Sequence, residues 1–205
     1  MSHADFSTDE ARVSYGIGMQ LGGQLRQNPP PGVDLEAVVA GLRDAFAGTG
    51  SRVDPAELNA SFQVIRERMK AEEARKAEEA RAAGEAFLAE NARREGIVVL
   101  PSGLQYEVLA AGEGARPGPE DSVRTHYHGM LVDGQVFDSS LERGQPAEFP
   151  VNGVIAGWTE ALQLMNAGSK WRLYVPSGLA YGAQAIGSIP PHSTLIFDVE
   201  LLDVL

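Results

Sequence analysis

Near residue 96 the apolar periodicity of this 205-residue chain switches from about four to two, which divides it into two dissimilar parts. Before the switch, Val13, Ile17, Leu21 and Leu25 recur at four-residue steps, one face of a helix. Ser14, Gly18 and Gly22 run beside them at the same spacing and would let a second helix come close to the backbone. Ser7 and Glu10 have the spacing of a capping box, which predicts the helix start. The run Asn28-Pro29-Pro30-Pro31-Gly32 must end it, because proline lacks the amide a helix needs. Asp34 is placed to cap a second helix with Leu35, Val38, Val39, Leu42 and Phe46 on one face and Gly48 at its end.

A third helix opens at Asp54-Pro55, with Glu57 completing the cap and Phe62, Ile65 and Met69 forming an apolar face. From Lys70 to Arg94 the residues are mostly Ala, Glu, Arg and Lys, and Glu72–Lys76 and Glu90–Arg94 are spaced as ion pairs on a helical face. The pattern predicts one helix over 55–94, roughly 60 Å long, with a solvated second half in which Gly84 is a tolerated weak point. The expected organisation is a helical dimerisation domain over 1–69, a solvated linker helix over 70–95 and a second domain over 96–205. So thin a helical core is marginal alone, which favours two copies packing through Ser14, Gly18 and Gly22 over a monomeric three-helix cap. Gly16 and Gly18 lie inside this stripe and follow no strand, so a dinucleotide loop is excluded.

Past Gly96, apolar and polar residues alternate in three runs: Leu104-Tyr106-Val108, Trp171-Leu173-Val175 and Leu195-Phe197-Val199-Leu201. Asp133-Gly134 between two apolar stretches signals a hairpin. One short helical pattern, Trp158, Ala161, Leu162 and Met165, interrupts the strands and stops at Asn166-Ala167-Gly168. Strands with one apolar face and a single short helix predict an α+β domain, an antiparallel sheet wrapped over that helix.

Several functions are excluded early. A formal charge of −11 offers no electrostatic grip on nucleic acid or an anionic membrane. The absence of cysteine removes disulfides, thiol catalysis and thiolate metal sites. No apolar run reaches the ~18 residues of a membrane span. The segment Met1–Glu10 has neither a basic nor an apolar leader region, so a cytoplasmic location is expected ahead of a periplasmic one. His126 and His128 share a strand face at a spacing that could bind metal, but no third ligand stands near, and no metal or cofactor is expected.

Five motifs then follow in order: His126-Tyr127-His128-Gly129-Met130-Leu131, Asp133-Gly134-Gln135-Val136-Phe137-Asp138-Ser139-Ser140, Val154-Ile155-Ala156-Gly157-Trp158, Leu179-Ala180-Tyr181-Gly182, and Ile189-Pro190-Pro191-His192-Ser193-Thr194-Leu195-Ile196-Phe197-Asp198-Val199-Glu200-Leu201-Leu202. Together they resemble the FKBP family of peptidyl-prolyl cis/trans isomerases. The run Val13-Ser14-Tyr15-Gly16-Ile17-Gly18 is similar to the dimeric bacterial macrophage infectivity potentiator group and its signal-less cytoplasmic branch.

The resemblance implies a half-barrel sheet whose concave face, with the short helix, forms an apolar pocket for a prolyl ring, floored by Trp158 and walled by Tyr127, Phe137, Val154, Ile155 and Phe197, with Tyr181 and Ile189 at the rim. It further implies that the Ile155 N–H and the Tyr181 hydroxyl bond substrate carbonyls, and that Asp138, paired with Arg143, faces the polar side of the twisting amide. Its implied partners are a second copy, proline-containing or unfolded polypeptides, and macrolide ligands. By periodicity alone Trp158, Phe137 and Phe197 read as core; the motifs place them in the pocket. Ser139-Ser140 read as turn and capping residues, and His192 as structural.

The chemistry asks for such a pocket. Rotation about Xaa–Pro breaks no bond and faces a barrier of ~18–20 kcal/mol because conjugation is lost. The planar amide carries a larger dipole than the twisted one, so an apolar cleft penalises the ground state more than the transition state. Two departures bear on ligand preference: Ala147 stands where many single-domain members carry an aromatic, and the loop Ala183–Ser188 is short. The leading reading is a folding isomerase that also holds clients as a dimer. The alternatives are a client-binding chaperone in which isomerisation is secondary, and a structural dimer with an inert pocket.

Overall fold

The computed structural model describes residues 5–27 and 29–205, in two compact units, Met1–Glu72 and Glu73–Leu205. In the first, α1 spans Asp9–Gln27, α2 Leu35–Ala47, and α3, Pro55–Asn91, begins. Thr8, one residue later than expected, caps α1: its Oγ1 accepts the Ala11 N–H at 3.2 Å, while Ser7 turns back to bond Asp5. The expected α1 stop runs through Asn28, which lies outside the described residues; Pro29 and Pro30 follow it. Asp34 accepts the Glu36 N–H at 2.9 Å, and Gly48, at φ 67°, returns its N–H to Ala45. Asp54 accepts the Ala56 N–H at 2.8 Å at the head of α3.

These helices are well capped but poorly covered. No residue of α1 or α2 is buried, and Phe46 is 99% exposed. Gly16, Gly18 and Gly22 have nothing within 4 Å of the space a Cβ would fill. The apolar faces of the first unit therefore stand unpartnered in the single chain. None of the described helices is long and apolar enough to cross a membrane.

In the second unit the strands are β1 Ile97–Val99, β2 Gln105–Ala110, β3 Ser122–Leu131, β4 Val136–Ser139, β5 Ala147–Pro150, β6 Lys170–Val175 and β7 Leu195–Val204. They form one antiparallel sheet in the order β1-β2-β6-β7-β3-β4. β5 shares β3's outer side with β4, pairing with it over Ser122–Thr125. The chain between β4 and β5 makes one short turn of helix, α4 Ser140–Arg143, and α5, Ala156–Leu162, precedes β6. Alternation sends Tyr127, Trp171, Leu173, Phe197 and Val199 to the core face, where Trp158, Ala161 and Leu162 of α5 meet them. The hairpin falls at Asp133-Gly134, with Gly134 at φ 86°. This is the antiparallel α+β sheet that the alternating pattern predicts and the half-barrel that the resemblance implies.

The second half of α3 is not simply solvated. Gly84 and Asn91 are buried, and the Phe87 ring lies 5.8 Å from that of Tyr174. Asn91 donates to the Gln105 side chain at 2.8 Å, and Gln105 donates to the Leu88 carbonyl at 2.9 Å. The helix ends at Asn91, and Arg94, beyond it, reaches Asn91, Tyr174 and Glu107 rather than pairing with Glu90. Sparse apolar residues hid this docking, because a single ring, a glycine and two amides make it.

Gly84 decides between the two readings by sign. A weak point would gain about 1 kcal/mol from Gly84→Ala through helix propensity. Here the added Cβ would stand 2.4 Å from Thr194 Oγ1 and 2.9 Å from its Cβ, and Thr194 is buried. Gly84→Ala is therefore expected to lower stability by about 1–3 kcal/mol, measured by urea denaturation; a gain would mean that the helix is undocked.

Candidate active site

Tyr127 sits mid-way along β3 with its ring on the core face, and its hydroxyl donates to Asp138 Oδ2 on the neighbouring β4. Arg143, at the end of α4, donates Nη1 to Asp138 Oδ1 and Nη2 to the Tyr127 oxygen at 2.8 Å. Its guanidinium carbon lies 5.5 Å from the Tyr127 ring centroid. The sequence builds this corner locally. Ser139 caps α4 by accepting the Glu142 N–H, Gly144 closes it at φ 69°, and Ser140 Oγ accepts the Tyr127 N–H at 2.7 Å. The two serines thus clamp the turn that carries Arg143.

Burial pushes the Asp138 carboxyl up, but the hydrogen bonds from Tyr127 and Arg143 and the guanidinium charge outweigh it, leaving the acid below its usual range. Burial, with the bond to Asp138, raises the Tyr127 phenol. Bonds to Tyr127 and Asp138 raise the Arg143 guanidinium. The corner is a neutralised Asp–Arg pair joined to a phenol that keeps its proton.

Beside it opens a cleft of about 380 Å³ lined by Tyr127, Phe149, Gly153, Val154, Ile155, Trp158, Tyr181 and Phe197. Trp158 is 4% exposed, and three rings meet it edge-to-face: Phe197 at 5.3 Å, Tyr127 at 5.5 Å and Phe149 at 6.0 Å. Such contacts hold the indole in one orientation, each worth about 0.5–1.5 kcal/mol beyond burial. Its buried Nε1–H has no hydrogen-bond partner among the described residues. Ile155 precedes α5, and its carbonyl accepts the Trp158 and Thr159 amides. Tyr181 stands at the rim, 36% exposed.

The structure brings together Tyr127, Val154, Ile155, Trp158, Tyr181 and Phe197 around one opening, with Asp138 and Arg143 bonded to Tyr127 at its edge. It does not bring Phe137 or Ile189 into the lining. Phe137 backs Phe197 at 5.5 Å, ring edge to ring face. Ile189 is drawn into the core by its paired backbone bonds with Ile186, which takes the exposed position on that loop. Phe149 lines the cleft although its sequence position drew no notice. The signal was the alternation along β5, which puts Phe149 on the same face as Ala147, the position already marked as lacking an aromatic. His126 and His128 place Nδ1 3.0 Å from Ser140 Oγ and Ser139 Oγ. No cluster of three metal-ligating side chains occurs among the described residues.

Known proteins share both parts of this chain. The profile described as FKBP-type peptidyl-prolyl cis-trans isomerase matches residues 113–202, and that of the domain amino-terminal to it matches residues 10–108. The FKBP-type 22 kDa peptidyl-prolyl cis-trans isomerase of Escherichia coli K12 is 50% identical over 206 residues, covering all of both chains. The outer membrane protein MIP of Legionella longbeachae is 44% identical, over 97% of this chain and 87% of that one. The crystal structure of FkpA from Escherichia coli superposes with a TM-score of 0.69 at 37% identity, covering 98% of each chain. An apolar aromatic cleft, its motifs in family order and identity along the whole length lead to one assignment: the chain belongs to the FKBP-type peptidyl-prolyl cis-trans isomerases.

Proposed function

We propose that this isomerase turns Xaa–Pro bonds over the Trp158 indole, in the cleft between Tyr127, Phe149 and Phe197. The observation that carries this reading is an enclosure of four aromatic rings whose one nearby acid is already matched by Arg143. A prolyl ring fills such a space by displacing water. The planar amide then loses more solvation than the twisted one, which lowers the barrier between them. The Ile155 N–H and the Tyr181 hydroxyl, neither hydrogen-bonded to another described residue, are the donors for the carbonyls flanking the bond. Asp138 presents its charge to the carbonyl side as the amide rotates, held in place by Arg143 and Tyr127. No proton is transferred at any step.

That absence of proton transfer has a measurable consequence. The Asp138 carboxyl lies below its ordinary value of 3.8, so its ionised form is complete above that value and is lost only as pH falls through the lower folded one. The Tyr127 phenol lies above its ordinary value of 10.0, so it keeps its proton throughout the neutral range. Peptide turnover, kcat/KM, is therefore expected to be flat from about pH 5 to about pH 9. A bell-shaped profile with a limb near the histidine range would contradict the proposal.

The second part of the proposal is a homodimer formed through the first unit. What supports it is an apolar face on α1 and α2 with no buried residue, beside glycines open to close approach. A unit this small cannot form a core from these helices alone, and a second copy supplies the matching surface. Two catalytic units on one dimer would hold unfolded, proline-containing chains at two points, adding client holding to catalysis.

A further inference from the structure

We propose that Gly129 is a positioning residue for the isomerase site, needed because two rings occupy the place of its side chain. Gly129 lies on β3 between Asp138 of β4 and Phe197 of β7. Along β3 the buried positions alternate through Val123, Thr125, Tyr127, Gly129 and Leu131, and Gly129 alone among them has no side chain. The space it leaves is full. A Cβ there would stand 2.7 Å from both Cε2 and Cζ of Phe137 and 2.9 Å from Cε1 of Phe197.

Gly129 is not among the glycines with positive φ, so the demand is for room and not for unusual backbone. Those two rings meet at 5.5 Å and 85°, and Phe197 in turn meets Trp158 at 5.3 Å and 82°. A chain of edge-to-face contacts thus runs from Gly129 to the cleft floor. Phe137 also immediately precedes Asp138, so displacing it moves the acid corner as well. Gly129 touches no substrate; it acts through Phe137 and Phe197.

The test is Gly129→Ala in the full-length protein, assayed with a short proline peptide. Sub-ångström to ångström misplacement of catalytic groups costs up to ~100-fold, and a fall in kcat of about 10-fold or more is expected. The indole N–H resonance of Trp158 should shift while that of Trp171, stacked on Tyr106, stays put. A purely structural role would lower the melting temperature and move neither kcat nor the Trp158 signal alone. The second measurement repeats Gly129→Ala in a Phe137→Leu background, where the nearer of the two colliding rings is gone and the Phe197 contact at 2.9 Å remains. The added methyl should then cost at least ~3-fold less than it does beside Phe137, a non-additivity that marks direct contact. An unchanged kcat, or the same penalty in both backgrounds, would overturn the proposal. Should Gly129→Ala not fold, Phe137→Leu must raise the fraction that folds; no gain would overturn the proposal equally.

Discussion

Tyr181→Ala is expected to lower kcat/KM for a short proline peptide about 30-fold while leaving the melting temperature within about 2 °C of the parent. Two losses combine: a hydrogen bond to a substrate carbonyl, about 1 kcal/mol, and one aromatic wall, about another. Each 1.36 kcal/mol is tenfold in rate, so some 2 kcal/mol gives that factor. Stability should hold because Tyr181 is partly exposed at the rim and its described contact with the fold is a backbone bond from Gln184. Tyr181→Phe separates the two losses and should recover all but about 5–10-fold of the rate. Unchanged turnover in the alanine variant would remove Tyr181 from the site.

If the proposed dimer forms through the first unit, the full chain should sediment as a dimer and a form lacking residues 1–72 as a monomer. Turnover of a short peptide should stay within about 2-fold, since every cleft residue lies in the second unit. Refolding of a proline-limited protein should slow at least ~10-fold, because two linked sites raise the effective concentration of a client well beyond that at one site. A truncated form that still sediments as a dimer would contradict the assignment of the interface to α1 and α2. The position of the cut matters. Removing residues 1–95 also strips Phe87 from Tyr174 and Leu88 and Asn91 from Gln105. That shorter form should melt below the 73–205 form, because it loses a half-buried ring and two hydrogen bonds of the Gln105 side chain, about 1 kcal/mol each.

Much of this was legible in the residues. Asp34, Asp54 and Gly48 announce helix ends because a side-chain oxygen or a left-handed glycine satisfies backbone groups locally. The period-two runs announce the sheet because its face is decided residue by residue. The cleft was legible mainly through the order of its motifs, since Trp158 and Phe197 look the same to periodicity whether they floor a pocket or fill a core. What stayed hidden depends on the third dimension. The docking of α3 rests on Gly84, Phe87 and Asn91, isolated positions that read as solvated in a charged helix, and on Gln105 of β2, whose amide receives them. Phe149 faces the cleft only because β5 pairs with β3 in the register that sets Ala147 opposite Thr125. Phe137 and Ile189 were carried by motif position, yet ring packing on Phe197 and the Ile186 bridge turn them inward.

The account stands on rotation taking place over the Trp158 indole. The most direct test is one titration with a macrolide of the FKBP-ligand class, following the Trp158 indole N–H resonance and protease-coupled Xaa–Pro isomerisation in the same samples. Turnover should fall to the uncatalysed rate along the same saturation curve that shifts the Trp158 signal. Full occupancy of the cleft with isomerisation still running would place the chemistry elsewhere in the molecule.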